Sequence, residues 1–184
     1  MTFPDLSGEA LVPGTYQASP PFAIHFTFEI PDEGWSSAHI HDEFFDVMRL
    51  DGPEPNIPTR WVAWGYPATV HGPNGAQPVE GLTPDEAVEL MSNVPNIEAS
   101  DPRPFTVAGL EGIQVDMHTD VEMTQIFGGE AGDLALDPTF DVRLGAVDLD
   151  PGLLLVMCFG PDGDLDRGCA DAQPIIDSVR IIQN

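Results

Sequence analysis

Leu11-Val12-Pro13-Gly14-Thr15-Tyr16, then Phe22-Ala23-Ile24-His25-Phe26-Thr27-Phe28-Glu29-Ile30, then Pro31-Asp32-Glu33-Gly34-Trp35, is the stretch that decides the fold. The Pro13-Gly14 pair marks a turn. Phe22, Ile24, Phe26, Phe28 and Ile30 then alternate with Ala23, His25, Thr27 and Glu29. This period of two predicts a strand with one apolar face buried and the other partly wet. Pro31-Asp32-Glu33-Gly34 turns the chain again and delivers Trp35. A β-rich domain starts here.

Outward from that strand, Phe44–Leu50 alternates poorly but reads as a second strand. Residues 51–59 carry Pro53, Pro55 and Pro58 and read as loop. Trp61, Val62 and Trp64 make Arg60–Tyr66 a strand. Pro67–Gly81, rich in Pro and Gly, reads as loop. Thr83-Pro84-Asp85-Glu86 is a capping box with proline at the first helical position. It opens a helix whose buried stripe is Ala87, Leu90, Met91 and Val94, ended by Pro95. Pro104–Val107 and Ile113–His118 form a hairpin around Gly109-Leu110-Glu111-Gly112, with Ile113, Val115 and Met117 facing in. Residues 128–139, rich in Gly and Asp, read as loop. Phe140–Val147 alternates. Gly152–Phe159 is continuously apolar, as expected of a central strand covered on both faces. Asp171 opens a short helix through Ile176, and Arg180–Ile182 is the last strand. Residues 1–10 read as a flexible N-terminal arm and 11–184 as one domain. The expected class is α+β: an antiparallel β-sheet flanked by a few helices.

Composition narrows the function. Six basic residues oppose 31 acidic ones, for a formal charge of −25, and every basic residue is arginine. Such a surface repels nucleic acid and anionic membranes. It suits either an exported protein from a GC-rich genome or a salt-rich habitat, where screening removes self-repulsion. No run approaches the roughly 20 apolar residues of a membrane span. Thr2–Glu9 has neither the basic residue nor the apolar core of a signal peptide. The chain is then either cytoplasmic or, as expected here, the mature region of an exported protein, extracellular or at the cell envelope, with Met1 added. The two cysteines, Cys158 and Cys169, flank the turn Gly160-Pro161-Asp162-Gly163. Their spacing suits a short disulfide loop in an oxidising compartment; the alternative is two separate thiols, one in a strand and one capping a helix.

Reaction signatures are missing. There is no Gly-x-Ser-x-Gly, no Gly-rich phosphate loop and no lysine for a Schiff base. His39-x-His41-Asp42-Glu43 puts two imidazoles and two carboxylates close together, as Zn²⁺ or another transition metal requires. Its alternative is a polar surface loop. His118 and His71 read as incidental. Asp162-Gly163-Asp164-Leu165-Asp166 resembles half a calcium loop, but Arg167 and Gln173 stand where an EF-hand needs Gly and Glu. Trp61, Trp64 and Tyr66 could line a ligand cleft or partner face, though such rings are more often core. A further possibility is that Phe22–Ile30 pairs with a second copy.

The Leu-x-Pro-Gly-Thr-Tyr opening with its Pro-x-x-Gly-Trp turn resembles the start of secreted or lipid-anchored actinobacterial domains of unknown function with a PsbP-like fold. Phe105–Asp116 resembles their Val-x-Gly-Leu-x-Gly turn, and Ala172–Ile181 their closing helix and strand. The resemblance implies a PsbP-like sandwich and no catalytic residue. The functional expectation is a non-catalytic exported accessory or binding domain at the cell surface. Its partner is an unidentified protein or small molecule, and no cofactor is named. The alternative is a metal-binding protein or metal-dependent enzyme built on His39, His41, Asp42 and Glu43.

Overall fold

A computed structural model describes residues 10–18, 22–40, 42–50, 58–129, 132–150, 152–161 and 163–182, and for 38–40, 132 and 133 the backbone alone. The first elements are β1 (Ala10–Leu11), β2 (Gly14–Ala18), β3 (Phe26–Ile30), β4 (Trp35–Ile40), β5 (Phe44–Arg49) and β6 (Arg60–Gly65). The hairpin β7 (Thr69–Gly72) and β8 (Gly75–Pro78) leads to helix α1 (Pro84–Ser92). Next come β9 (Ile97–Ala99), β10 (Arg103–Val107), β11 (Leu110–Thr119), β12 (Thr124–Gly129) and β13 (Gly132–Leu136). The chain closes with β14 (Phe140–Leu149), β15 (Gly152–Pro161), helix α2 (Leu165–Asp177) and β16 (Arg180–Ile181).

Strands dominate, and all their pairings are antiparallel, so the fold is more sheet-rich than the α+β expectation. The large sheet runs β1-β4-β5-β6-β15-β14-β11-β10, with β9 also on β11. Its axis is β15, whose continuous apolar run is covered on both faces as expected. Leu154, Val156 and Cys158 face one core. There Phe26, Phe28 and Ile30 of the small sheet β16-β3-β2 meet Cys169, Ala172 and Ile175 of α2. Leu153, Leu155, Met157 and Phe159 face the second core. There Val70, Ile126 and Phe127 of the sheet β13-β12-β7-β8 meet Ala87, Val88 and Met91 of α1.

Several expectations hold. Thr83 caps α1, and Glu86 returns the bond to the Thr83 backbone, completing the capping box. β10 and β11 form the expected hairpin, but its turn is Ala108-Gly109, both at positive φ (52° and 81°). Such a pair gives a two-residue turn that matches strand twist. Gly112 lies inside β11, where a Cβ would collide with the Ala146 carbonyl. The disulfide Cys158–Cys169 is formed and ties β15 to α2.

Other expectations are corrected. The strand proper starts at Phe26, because the chain bends at 22–24, where Ala23 N–H donates to the Asp42 carbonyl at 2.9 Å. Phe22 and Ile24 are nonetheless buried, so the alternation still reports the core face. β3 is paired by β2 along its whole length and by β16 at Phe26 and Thr27, so it is the central strand of its sheet rather than the free edge that pairing with a second copy would use. Residues 67–81 hold the β7–β8 hairpin, and 128–139 hold the end of β12 and all of β13. Their glycines serve two ends: the Glu43 carboxylate occupies the space a Cβ on Gly129 would need, whereas Gly75 and Gly81 have open space around them and take positive φ. α2 is 13 residues long rather than a short helix from Asp171. Asp164 is its N-cap, and Asp171 lies inside it, ion-paired with Arg60 of β6. The expected arm, apart from Ala10 in β1, lies outside the described residues.

Candidate functional site

Alternation along β6 separates the aromatic candidates. Trp64 is 0% exposed. Its ring centroid lies 5.1, 5.3 and 5.4 Å from those of Phe26, Phe28 and Phe45. Among the described residues its indole N–H has no hydrogen-bond partner. Trp61 is on the opposite face, stacked on Phe159 at 4.1 Å, and donates to Asp46 Oδ2 at 2.9 Å. Tyr66 is half-buried on the Trp64 side, beside Gly152. Burial, then the Asp150 charge, pushes its phenol pKa up. The three rings do not line one cleft.

Of the candidate metal ligands, His39 lies on β4 with its side chain outside the description, and His41 is outside the described residues altogether. Asp42 is exposed. The Glu43 carbonyl accepts from Tyr66 N–H at 2.7 Å. Asp162 is also outside the described residues; Asp164 and Asp166 begin α2 and pair with Arg167 and Arg143. Among the described residues no group of three His, Cys, Asp or Glu is placed to hold a metal ion. His71 is half-buried on β7.

The densest polar constellation surrounds His118 instead. Asp116 and His118 project from the outer face of β11 towards Asp141 and Arg143 of β14, with Asp116 directly opposite Arg143. Arg143 grips Asp116 with two bonds, Nε to Oδ1 at 2.7 Å and Nη2 to Oδ2 at 3.0 Å. Its Nη2 also donates to Asp166 of α2 at 2.7 Å. Arg103 of β10 adds a second cation on Asp116 at 2.7 Å. Burial opposes ionisation of Asp116, but the bonds from Arg143 and Arg103 outweigh it and hold its carboxyl below the usual range. His118 Nδ1 lies 2.6 Å from Asp141 Oδ1, and Nε2 lies 3.1 Å from Asp120 Oδ1. Asp141 also accepts from Gly163 N–H at 3.1 Å, ahead of α2.

This geometry holds charge rather than moves it. Both His118 nitrogens face carboxylates, so the ring is favoured as imidazolium and has no lone pair left for general-base work. Both cysteines are in the disulfide. The network pins the start of α2 to the large sheet. Its sign follows from His118: the hydrogen bonds to Asp120 and then Asp141 raise its pKa above the ordinary value. Protonated in the fold, it adds stability that is fully present below about pH 6.5 and is lost as pH rises through the raised pKa. The melting-temperature difference between the wild type and His118→Gln is therefore expected to be largest near pH 5–6 and to shrink towards pH 8–9. A difference that grows with pH would refute the clamp.

A concave surface lies elsewhere. A groove of about 490 Å³ runs between α1 and the β7–β8 hairpin, with Pro73, Leu82 and Leu90 as its apolar lining and Gln77, Glu86 and Glu89 as its polar one. Hydrogen bonds from the Thr83 backbone and hydroxyl keep Glu86 ionised at lower pH than usual. Reading 67–81 as loop hides this groove in the sequence.

No family model and no curated protein matches the chain. Solved structures do. One is LpqN, described as involved in cell envelope biogenesis of Mycobacterium tuberculosis, at 11% identity and TM-score 0.55, covering 92% of this chain and 91% of that one. A protein from Bacteroides thetaiotaomicron matches at 7% identity and TM-score 0.54, with 95% of this chain spanning 50% of that one. The cyanobacterial PsbP of Synechocystis is similar at 8% identity and TM-score 0.49, over 93% and 94% of the two chains. At such identities the likeness is one of fold.

Proposed function

We propose that this chain is a non-catalytic accessory domain that works outside the cytoplasm, at the cell surface or envelope, as secreted or lipid-anchored actinobacterial domains do. The observation that carries the reading is the Cys158–Cys169 disulfide across β15 and α2. Thiols this close persist as a disulfide in oxidising compartments and are kept reduced in the cytosol. The fold shared with LpqN, itself described as an envelope-biogenesis protein, supports the same direction. The charge of −25 directs any partner choice away from nucleic acid. Capture of a protein or small molecule falls to surface features: the α1 groove and the exposed parts of Trp61 and Tyr66.

The test is made in the producing cells. Fractionation followed by thiol alkylation is expected to find the protein in the envelope or outside the cell, with both cysteines protected from alkylation until a reductant is added. A cytosolic protein with two alkylatable thiols would defeat the reading.

A further inference from the structure

The turn Asp120–Met123, between β11 and β12, presents two apolar side chains that the core does not use. Among the described residues the exposed large apolar side chains are Val12, Leu50, Val121 and Met123. Two of them share this one turn, with Val121 44% and Met123 72% exposed. Met123 also sits at φ +58°, in the left-handed region. That conformation strains a residue with a Cβ. An exposed methionine there returns nothing to the core.

The turn is nevertheless held rigidly. Val121 N–H donates to Thr119 Oγ1 at 3.2 Å, and the Thr124 hydroxyl donates to the Val121 carbonyl at 3.1 Å. The two hydroxyls lie 3.1 Å apart, buried at the base. Asp120 at the stem is tied to His118. A tip fixed in advance loses little conformational freedom on binding. Methionine is well suited to filling an irregular apolar pocket. Asp120 and Glu122 flank the tip with carboxylates.

We infer that the Val121–Met123 tip is an anchor that inserts into an apolar pocket of a partner protein, a pocket bordered by arginine or lysine side chains. A second copy is a poor occupant, since each chain carries −25, and an anionic membrane is repelled in the same way. The inference rests on the accessory reading only in requiring a protein partner.

The test places a photoreactive methionine analogue at position 123, or at exposed position 12 as control, in the full chain within producing cells. The protein cross-linked from 123 but not from 12 is then purified and titrated against wild type and Met123→Gly. Glycine accepts the positive φ, so Met123→Gly is expected to be at least as stable as wild type. It is expected to bind at least about tenfold more weakly, and wild-type binding should weaken as salt is raised. Equal affinity for Met123→Gly, no cross-link specific to 123, or capture of lipid or a second copy would overturn the inference. Partner capture by a cytosolic chain would defeat export and leave the anchor standing.

Discussion

Trp64→Ala is expected to lower the unfolding free energy by about 3–5 kcal/mol, seen as a large fall in the urea midpoint. The ring is fully buried among Phe26, Phe28 and Phe45, where the small sheet meets the large one. Truncation removes the largest side chain of that cluster and leaves a cavity that three neighbouring rings cannot all fill. A domain's total stability is about 5–15 kcal/mol, so the variant would be marginal. Trp61→Ala is expected to cost less, because Trp61 is only partly buried and lies on the other face. The comparison also decides what Trp64 is for. A loss below about 1 kcal/mol for Trp64→Ala would remove it from the core and revive a binding role.

Reducing the Cys158–Cys169 disulfide is expected to cost about 3 kcal/mol. The cross-link joins residues separated by 11 positions and restricts the unfolded chain accordingly. For a chain of 184 residues this corresponds to a fall in melting temperature of roughly 6–12 °C, measured by calorimetry with and without dithiothreitol. Both sulfurs are buried between α2 and β15, so reduction need not change the fold itself. An unchanged melting temperature would mean that packing of Ala172, Ile175 and Ile176 alone holds α2 in place.

How far the fold was legible depends on where the information lies. β15 announces itself by eight apolar or small residues in a row, from Gly152 to Phe159, and α1 by a local capping box. The β10–β11 hairpin is likewise written in adjacent residues. The β7–β8 and β12–β13 hairpins are hidden by Gly and Pro, which act as breakers in isolation. In the fold Gly129 stands where the Glu43 carboxylate approaches closely, and Gly75 supplies the positive φ of the β7–β8 turn. α2 is obscured by Gly168 and Pro174, which lower helix propensity. Gly168 is nevertheless suited to the close approach of the Phe159 carbonyl and Gly160. Tertiary packing decides that element.

The polar constellation was less legible for a similar reason. Asp116 meets Arg143 and His118 meets Asp141 across strand pairings that only the completed sheet defines. His118 alone, without its strand partner, reads as incidental. The separation of Trp61 from Trp64 was readable, since an odd spacing on a strand puts two rings on opposite faces.

The small sheet β16-β3-β2 joins Gly14–Ala18 to Arg180–Ile181 through β3. On the ribosome, β3 can take its first partner early, but its second edge waits for residues made more than 140 positions later. The core that holds Trp64 also waits for α2. Native packing is thus a late event in synthesis, and until β16 and α2 have both been made the core around Trp64 stays open.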